Sequence, residues 1–229
     1  MRKAVVTRAD NNILDMIEIS HPIMKDYAKR CGADFINIDS DPPFLTDDGK
    51  PHYRVLEVMG ILKQYDRVLM IDTDVIINPS CPDIFEVVPY EKMGSIYEDK
   101  GSRRSTRLML IDNIQKHWGD VGWRTGYTNA GVFVLSDIHR DVFTPHNGQY
   151  WTAWGSGDLH MSYMAHKLGF EIQELDFEWN HMTMFSETWN GNADRFDSFV
   201  IHYAGKGIFD KGCPSRIAQM RADAERIYS

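Results

Sequence analysis

Apolar residues in this chain fall into two patterns. Short, mostly apolar runs occupy 4–7, 35–38, 68–71, 132–135 and 199–201. They are too short for helices, which predicts strands; 68–71, rich in branched side chains, is expected to be buried on both faces of a sheet covered by helices, and 132–135 and 199–201 to be buried strands as well. Elsewhere apolar positions recur every three or four residues. That spacing predicts helices over 13–31 with Gly32 as the stop, over 52–64, 108–118, 159–168 with Gly169 as the stop, and 215–228. Shorter strands are expected at 94–97 and 171–175, and polar loops at 8–12 and 39–51. Strand, helix, glycine and strand over 4–38 make a βαβ unit, whose strands must be parallel. The expected fold class is α/β: a mixed, mainly parallel sheet flanked by helices, in a single domain over 1–229.

The run at 68–71 stops at Asp72-Thr73-Asp74, and Val75-Ile76-Ile77 then continues as apolar backbone to Asn78-Pro79. Two carboxylates at the end of a buried strand are costly unless something pairs them. Ligands of α/β sheets gather at the carboxyl ends of strands. A hard divalent cation carrying a diphosphate would satisfy both acids; a solvated acidic turn is the alternative. Asn129-Ala130-Gly131 precedes the run at 132–135, where small residues either admit a ligand or make a tight turn. Asp158 is placed to cap the helix at 159–168 or to face a site. His202 ends the run at 199–201 and is followed by Gly205-Lys206-Gly207, glycines that expose backbone N–H groups beside a cation. Imidazole is a good third ligand beside two carboxylates. Arg54, in the first turn of a helix, is either a phosphate or carboxylate ligand or a surface cation. The charged run at 99–107, with Arg103, Arg104 and Arg107, reads as a solvated loop or a lid, and the last helix as packing only.

Composition narrows the choices. With 229 residues, 43% hydrophobic and 25% charged, the chain is an ordinary globular one. A formal net charge of -8 without a polybasic run argues against nucleic acid as the partner. Binding a nucleotide would need a metal or a few placed Lys and Arg. Three cysteines far apart give neither metal spacing nor a disulfide framework, so reduced thiols and a cytoplasmic location are expected. A strand pattern starts at once and there is no 18-residue apolar run, so neither a signal peptide nor a membrane span is expected. The first loop lacks Gly-x-Gly-x-x-Gly, which disfavours a dinucleotide fold.

Strand-Asp-x-Asp, Asn-x-Gly-strand and strand-His-x-x-Gly-Lys occur here in one order. Tyr53-Arg54, Asp66-Arg67-Val68-Leu69, Asp158, Trp179-Asn180 and His202-Tyr203-Ala204-Gly205-Lys206 complete a pattern that covers about three quarters of the chain. It resembles the GT-A glycosyltransferases, most closely the family 8 type that includes glycogenin and bacterial galactosyltransferases. The resemblance implies a GT-A domain that moves a sugar from a nucleotide diphosphate sugar, by default a UDP-sugar, to a glycan or other hydroxyl acceptor with retention. It implies Mn²⁺, or Mg²⁺, on Asp72, Asp74 and His202. Thr7, Arg8, Arg54, Asp72 and Thr73 would bind the nucleotide and donor, with Gly205 and Lys206 on the diphosphate. Asn129, Ala130, Asp158, Trp179 and Asn180 would serve the sugar and acceptor, with Asp158 the best catalytic carboxylate. The chain departs from the family at Leu159, where glutamine is frequent, and at Arg8-Ala9-Asp10-Asn11, where Asp-x-x-Tyr is frequent. A nucleotidyltransferase on a similar sheet would carry a Gly-rich basic loop after the first strand, and 7–12 lacks Gly and Lys. A nucleotide-sugar-binding protein without turnover would keep the same ligands.

Overall fold

Alternation along one strand organises the packing. In the computed structural model, which describes residues 1–40, 51–185, 188–205, 210 and 212–229, all five residues of the strand Arg67–Ile71 are buried. Val68 and Met70 join the core on one face of the sheet, Leu69 and Ile71 the core on the other, as the two-residue period requires.

In chain order, β1 (Lys3–Arg8), α1 (Leu14–Arg30) and β2 (Ala33–Ile38) form the predicted βαβ unit, with Gly32 left-handed at φ +62°. A 3₁₀ segment, Pro51–Glu57, leads through α2 (Val58–Ile61) into β3 (Arg67–Ile71). Then follow β4 (Val75–Ile77), α3 (Ile84–Val87), β5 (Met93–Tyr97), α4 (Arg104–Trp118) and β6 (Thr128–Ser136). The chain closes with α5 (Ser156–Leu168), β7 (Ile172–Glu174), β8 (His181–Met182), β9 (Val200–His202) and α6 (Arg216–Tyr228). Six strands make one sheet in the order β2-β1-β3-β6-β5-β7, parallel except where β6 runs against β3 and β5. A second sheet, β4-β9-β8, pairs β4 antiparallel to β9. The expected mixed, mainly parallel α/β sheet is observed.

Four expectations are corrected. The stretch 75–77 does not prolong β3; it opens the second sheet, so Asp72-Thr73-Asp74 is the step between two sheets. The helix expected at 52–64 is split into 3₁₀ over Pro51–Glu57 and a short α turn over Val58–Ile61, with buried Val55, Leu56 and Val58 on the core. β6 starts at Thr128, so Asn129-Ala130-Gly131 lies inside a strand and is not a turn before one. The charged run is no solvated loop: α4 begins at Arg104, and Arg107 is buried in an ion pair with Glu98. Among the described residues no helix is long and apolar enough to cross a membrane.

Buried histidines set an acid limit on the fold, His160 and His181 among them. His160 on α5 is 2% exposed; its Nε2–H donates to the Thr144 carbonyl at 2.9 Å and its Nδ1 accepts the Trp151 N–H at 3.4 Å. Burial, with His146 adding to it, pushes its pKa down to about 4. The unfolded chain takes up that proton near pH 6.5, so stability falls as pH drops from about 6.5 to about 4, by roughly 3 kcal/mol for this group. His160→Gln keeps a donor and an acceptor and should flatten the urea-denaturation stability across that window relative to the parent. Equal acid losses in both proteins would remove His160 as a source.

Candidate active site

The two acids are set by backbone bonds to different sheets. The Asp72 N–H donates to the Gly131 carbonyl of β6 at 2.9 Å, and the Asp74 carbonyl accepts the Tyr203 N–H just beyond β9 at 2.8 Å. Val75 is paired with His202, which brings the imidazole to the acids: Nε2 is 3.2 Å from Asp74 Oδ1 and 3.7 Å from Asp72 Oδ2. Donor atoms of Asp72, Asp74 and His202 all lie within 4.8 Å of one another. Gly131 makes the close approach possible, since a Cβ there would sit 2.4 Å from His202 Cε1. Two carboxylates and an imidazole are a donor set that fits Mn²⁺ or Mg²⁺.

Charge around the cluster is locally balanced. Arg8 of β1 pairs with Asp72, and Arg216 of α6 reaches Asp74 Oδ2 at 3.0 Å while also bonding the Gly205 carbonyl. Burial pushes Asp74 up, but His202 and Arg216 outweigh it and hold its pKa below the usual carboxylate range. Burial opposes a proton on His202, but Asp74, Asp72 and Glu98 reverse this and raise its pKa. The Thr7 and Thr73 hydroxyls lie 3.0 Å apart, and Thr73 also bonds the Arg8 carbonyl at 2.9 Å, tying β1 to the acidic step.

A cleft of about 520 Å³ opens beside the cluster, lined among others by Arg8, Asp72, Asn129, Ala130, Trp154 and Asp158. Asp158 is not the helix cap. α5 starts two residues earlier behind Gly155, which is left-handed at φ +77° and close under the Tyr127 hydroxyl. The Asp158 carboxylate instead accepts the Ala130 N–H at 2.9 Å. Burial and the negative charge of Glu98, with Asp72 adding to them, push its pKa up to about 7 against the pull of that N–H and of Arg8. Asp158 therefore holds a proton at neutral pH far more readily than an ordinary carboxyl.

The structure thus brings Arg8, Asp72, Asp74, Asn129, Ala130, Asp158 and His202 together. Arg54 is buried and bonds Asp10 at 2.6 Å, which fixes the first loop; it is not a surface cation. Trp179 and Asn180 are buried away from the cleft lining, Trp179 against Phe199 and Asn180 beneath His202. Lys206 lies outside the described residues. Three residues near the site went unforeseen. Arg216 shows that the last helix does more than pack, and Glu98 with Arg107 forms a buried ion pair behind Asn129. The one local signal for Arg216 is its place as the first helical residue after the Ser215 cap.

No protein-family model matches the chain, and no curated protein matches it. Solved structures do. A glycosyltransferase involved in glycosylation of the major capsid of PBCV-1 aligns over 99% of this chain and 100% of its own, at 14% identity and TM-score 0.59. The bifunctional glycosyltransferase WbbM aligns over 99% of this chain and 51% of its own, at 13% identity and TM-score 0.62. The galactosyltransferase LgtC, solved with donor and acceptor sugar analogues, aligns over 99% and 96%, at 14% identity and TM-score 0.53. The chain has the GT-A fold of these proteins.

Asp158→Asn retains an acceptor for the Ala130 N–H, so the variant should fold. A carboxyl with a raised folded pKa makes the native state bind more protons than the unfolded one between about pH 4 and 7, so the parent loses stability as pH rises through that window. In EDTA the two proteins should match near pH 4, and at pH 8 the variant should be more stable by about 2 kcal/mol, a value discounted for water in the cleft. Urea denaturation at both pH values decides; a variant less stable at pH 8 would contradict the raised pKa.

Proposed function

We propose that this chain is a metal-dependent glycosyltransferase of the family 8 type, acting as one domain over 1–229. It moves a sugar from a nucleotide diphosphate sugar, by default a UDP-sugar, to a hydroxyl of a glycan or other acceptor with retention. The observation that carries this reading is the Asp72, Asp74 and His202 cluster at the carboxyl end of β3, open to a cleft that also contains Asp158.

Asp72, Asp74 and His202 would hold Mn²⁺ or Mg²⁺. The cation would act as a Lewis acid on the departing diphosphate. Thr7, Arg8, Thr73 and the first loop would hold the nucleotide; Arg54 would act by bracing that loop through Asp10. Arg8 and Arg216 already stand against the acids, so phosphate oxygens arriving beside the cluster would meet guanidinium donors. Gly205 and Lys206 would complete the diphosphate site. Asn129, Ala130 and Asp158 would face the sugar and acceptor, and Asp158, pushed up to about 7, would give or take a proton at an acceptor or sugar hydroxyl near neutral pH. If the leaving phosphate itself takes the acceptor proton, Asp158 orients the hydroxyl. Leu159, where glutamine is frequent, is fully buried in the core beside the cleft and would offer the donor sugar no amide. Trp179 and Asn180 would support the site from behind. The free thiols of Cys31, Cys81 and Cys213 support a reducing, cytoplasmic setting.

Incubation with a panel of nucleotide sugars and Mn²⁺ should release nucleoside diphosphate, and EDTA should stop it. Asp74→Ala should abolish turnover at some cost in stability, since it removes the carboxylate partner of Arg216 and His202, and circular dichroism should show that the fold persists. Asp158→Asn should lower turnover at least about a hundredfold, the scale of lost acid–base catalysis. Undiminished release in EDTA or in Asp74→Ala would exclude the metal role. Release of pyrophosphate from nucleoside triphosphates would assign a nucleotidyltransferase instead, and binding without release a nucleotide-sugar-binding protein.

A further inference from the structure

Behind His202 lies a chain of side chains whose donors and acceptors can be assigned in only one direction. Arg107 Nε donates to Glu98 Oε2 at 2.6 Å, so the Glu98 carboxylate is ion-paired and offers only acceptors. Asn129 must therefore present its NH₂ to Glu98 Oε1. Its Oδ1 then points the other way, and the Gly131 N–H, which can only donate, meets that oxygen at 2.8 Å. Two independent neighbours thus fix the same orientation of Asn129. The same oxygen accepts from Asn180 Nδ2 at 2.9 Å, which leaves Asn180 Oδ1 facing His202 Nδ1 at 2.7 Å. An amide oxygen cannot donate, so His202 Nδ1 carries a proton. Nε2 is left as the nitrogen aimed at the acids.

We propose that Glu98, Asn129 and Asn180 are positioning residues that, through this one-way hydrogen-bond chain, fix the proton of His202 on Nδ1 and present Nε2 to a divalent cation on Asp72 and Asp74. The proposal rests on the metal-site reading given under the proposed function. Its chemistry is that of a ligand histidine whose second nitrogen is held by an outer partner, which sets the ring orientation and which nitrogen is offered to the metal. Asn180 and His202 are 0% and 3% exposed, so water does not freely replace the link between them. The Cβ-free Gly131 both anchors Asn129 and gives the imidazole its room. Asn180 thereby acts through another residue, His202.

Asn180→Leu removes the link without changing charge, so a changed cation affinity cannot come from long-range electrostatics. Calorimetric Mn²⁺ binding should weaken about 10- to 100-fold in this variant. If the leucine variant fails to fold, ¹⁵N spectra of the wild-type histidines decide alone. His202 Nδ1 should remain protonated and protected from solvent exchange both without metal and with Mg²⁺, which is diamagnetic. An unprotonated Nδ1 in either state, or a folded Asn180→Leu protein with wild-type Mn²⁺ affinity, would overturn the proposal. A wild-type protein that binds no Mn²⁺ would sink the metal reading, while the Nδ1 signal would still decide the chain.

Discussion

Everything near the cleft depends on how Asp72-Thr73-Asp74 crosses from one sheet to another. β3 is paired to β6 up to Ile71 and Val132; β4 begins four residues later, paired to β9 at Val75 and His202. The backbone on either side of the step is therefore fixed by neighbours that belong to different sheets. Strand pairing leaves no freedom to splay the carboxylates apart, so they converge, and the same pairing brings His202 to them. Repulsion between the acids must be met by countercharge. The local geometry supplies it from opposite ends of the sequence: Arg8 near the beginning and Arg216 near the end.

Much of this was legible in the chain. The apolar runs at 4–7, 68–71 and 132–135 gave β1, β3 and β6 because complete burial leaves no polar positions to blur the pattern. Asp72 and Asp74 stand out because they end the run at 68–71, and His202 because it ends the run at 199–201. What escaped has a common cause: it depends on partners far away in sequence. Arg216 and Asp74 are 142 positions apart, and helical periodicity scores Arg216 only as a polar position. Arg107 sat in a cluster of charges, and only the tertiary fold shows Glu98 beneath it. For Asp158 the sequence leaves capping and a site role both open, because Asp is a preferred residue just before a helix. Gly155, able to take a left-handed conformation, let the helix begin earlier and freed the carboxylate to cross to Ala130. The switch of sheets after Asp74 left no trace in composition, since both sides of it are buried branched residues.

The chain carries a formal charge of -8, yet cations are placed locally around the acidic cluster. Arginines are placed singly, each answering one acid: Arg8 to Asp72, Arg54 to Asp10, Arg107 to Glu98, Arg216 to Asp74. Guanidinium suits this role because it stays charged and hydrogen-bonds carboxylate and phosphate alike. The same four pairs tie β1, the first loop, α4 and α6 to the site, so electrostatic balance and mechanical support come from the same contacts.

This balance bears on what a cation would have to do. A site built from two bare carboxylates would be strained until metal arrived, and folding would be linked to metal binding. Here each acid already has a guanidinium, and Asp74 has the imidazole as well. A cation on Asp72, Asp74 and His202 would therefore compete with existing partners, lowering its affinity below that of an unpaired acid pair. The compensation is that the arginines it displaces remain at the rim, where a diphosphate would need them. Charge would be handed from carboxylate to phosphate within one cleft, and the protein could fold before either ligand binds.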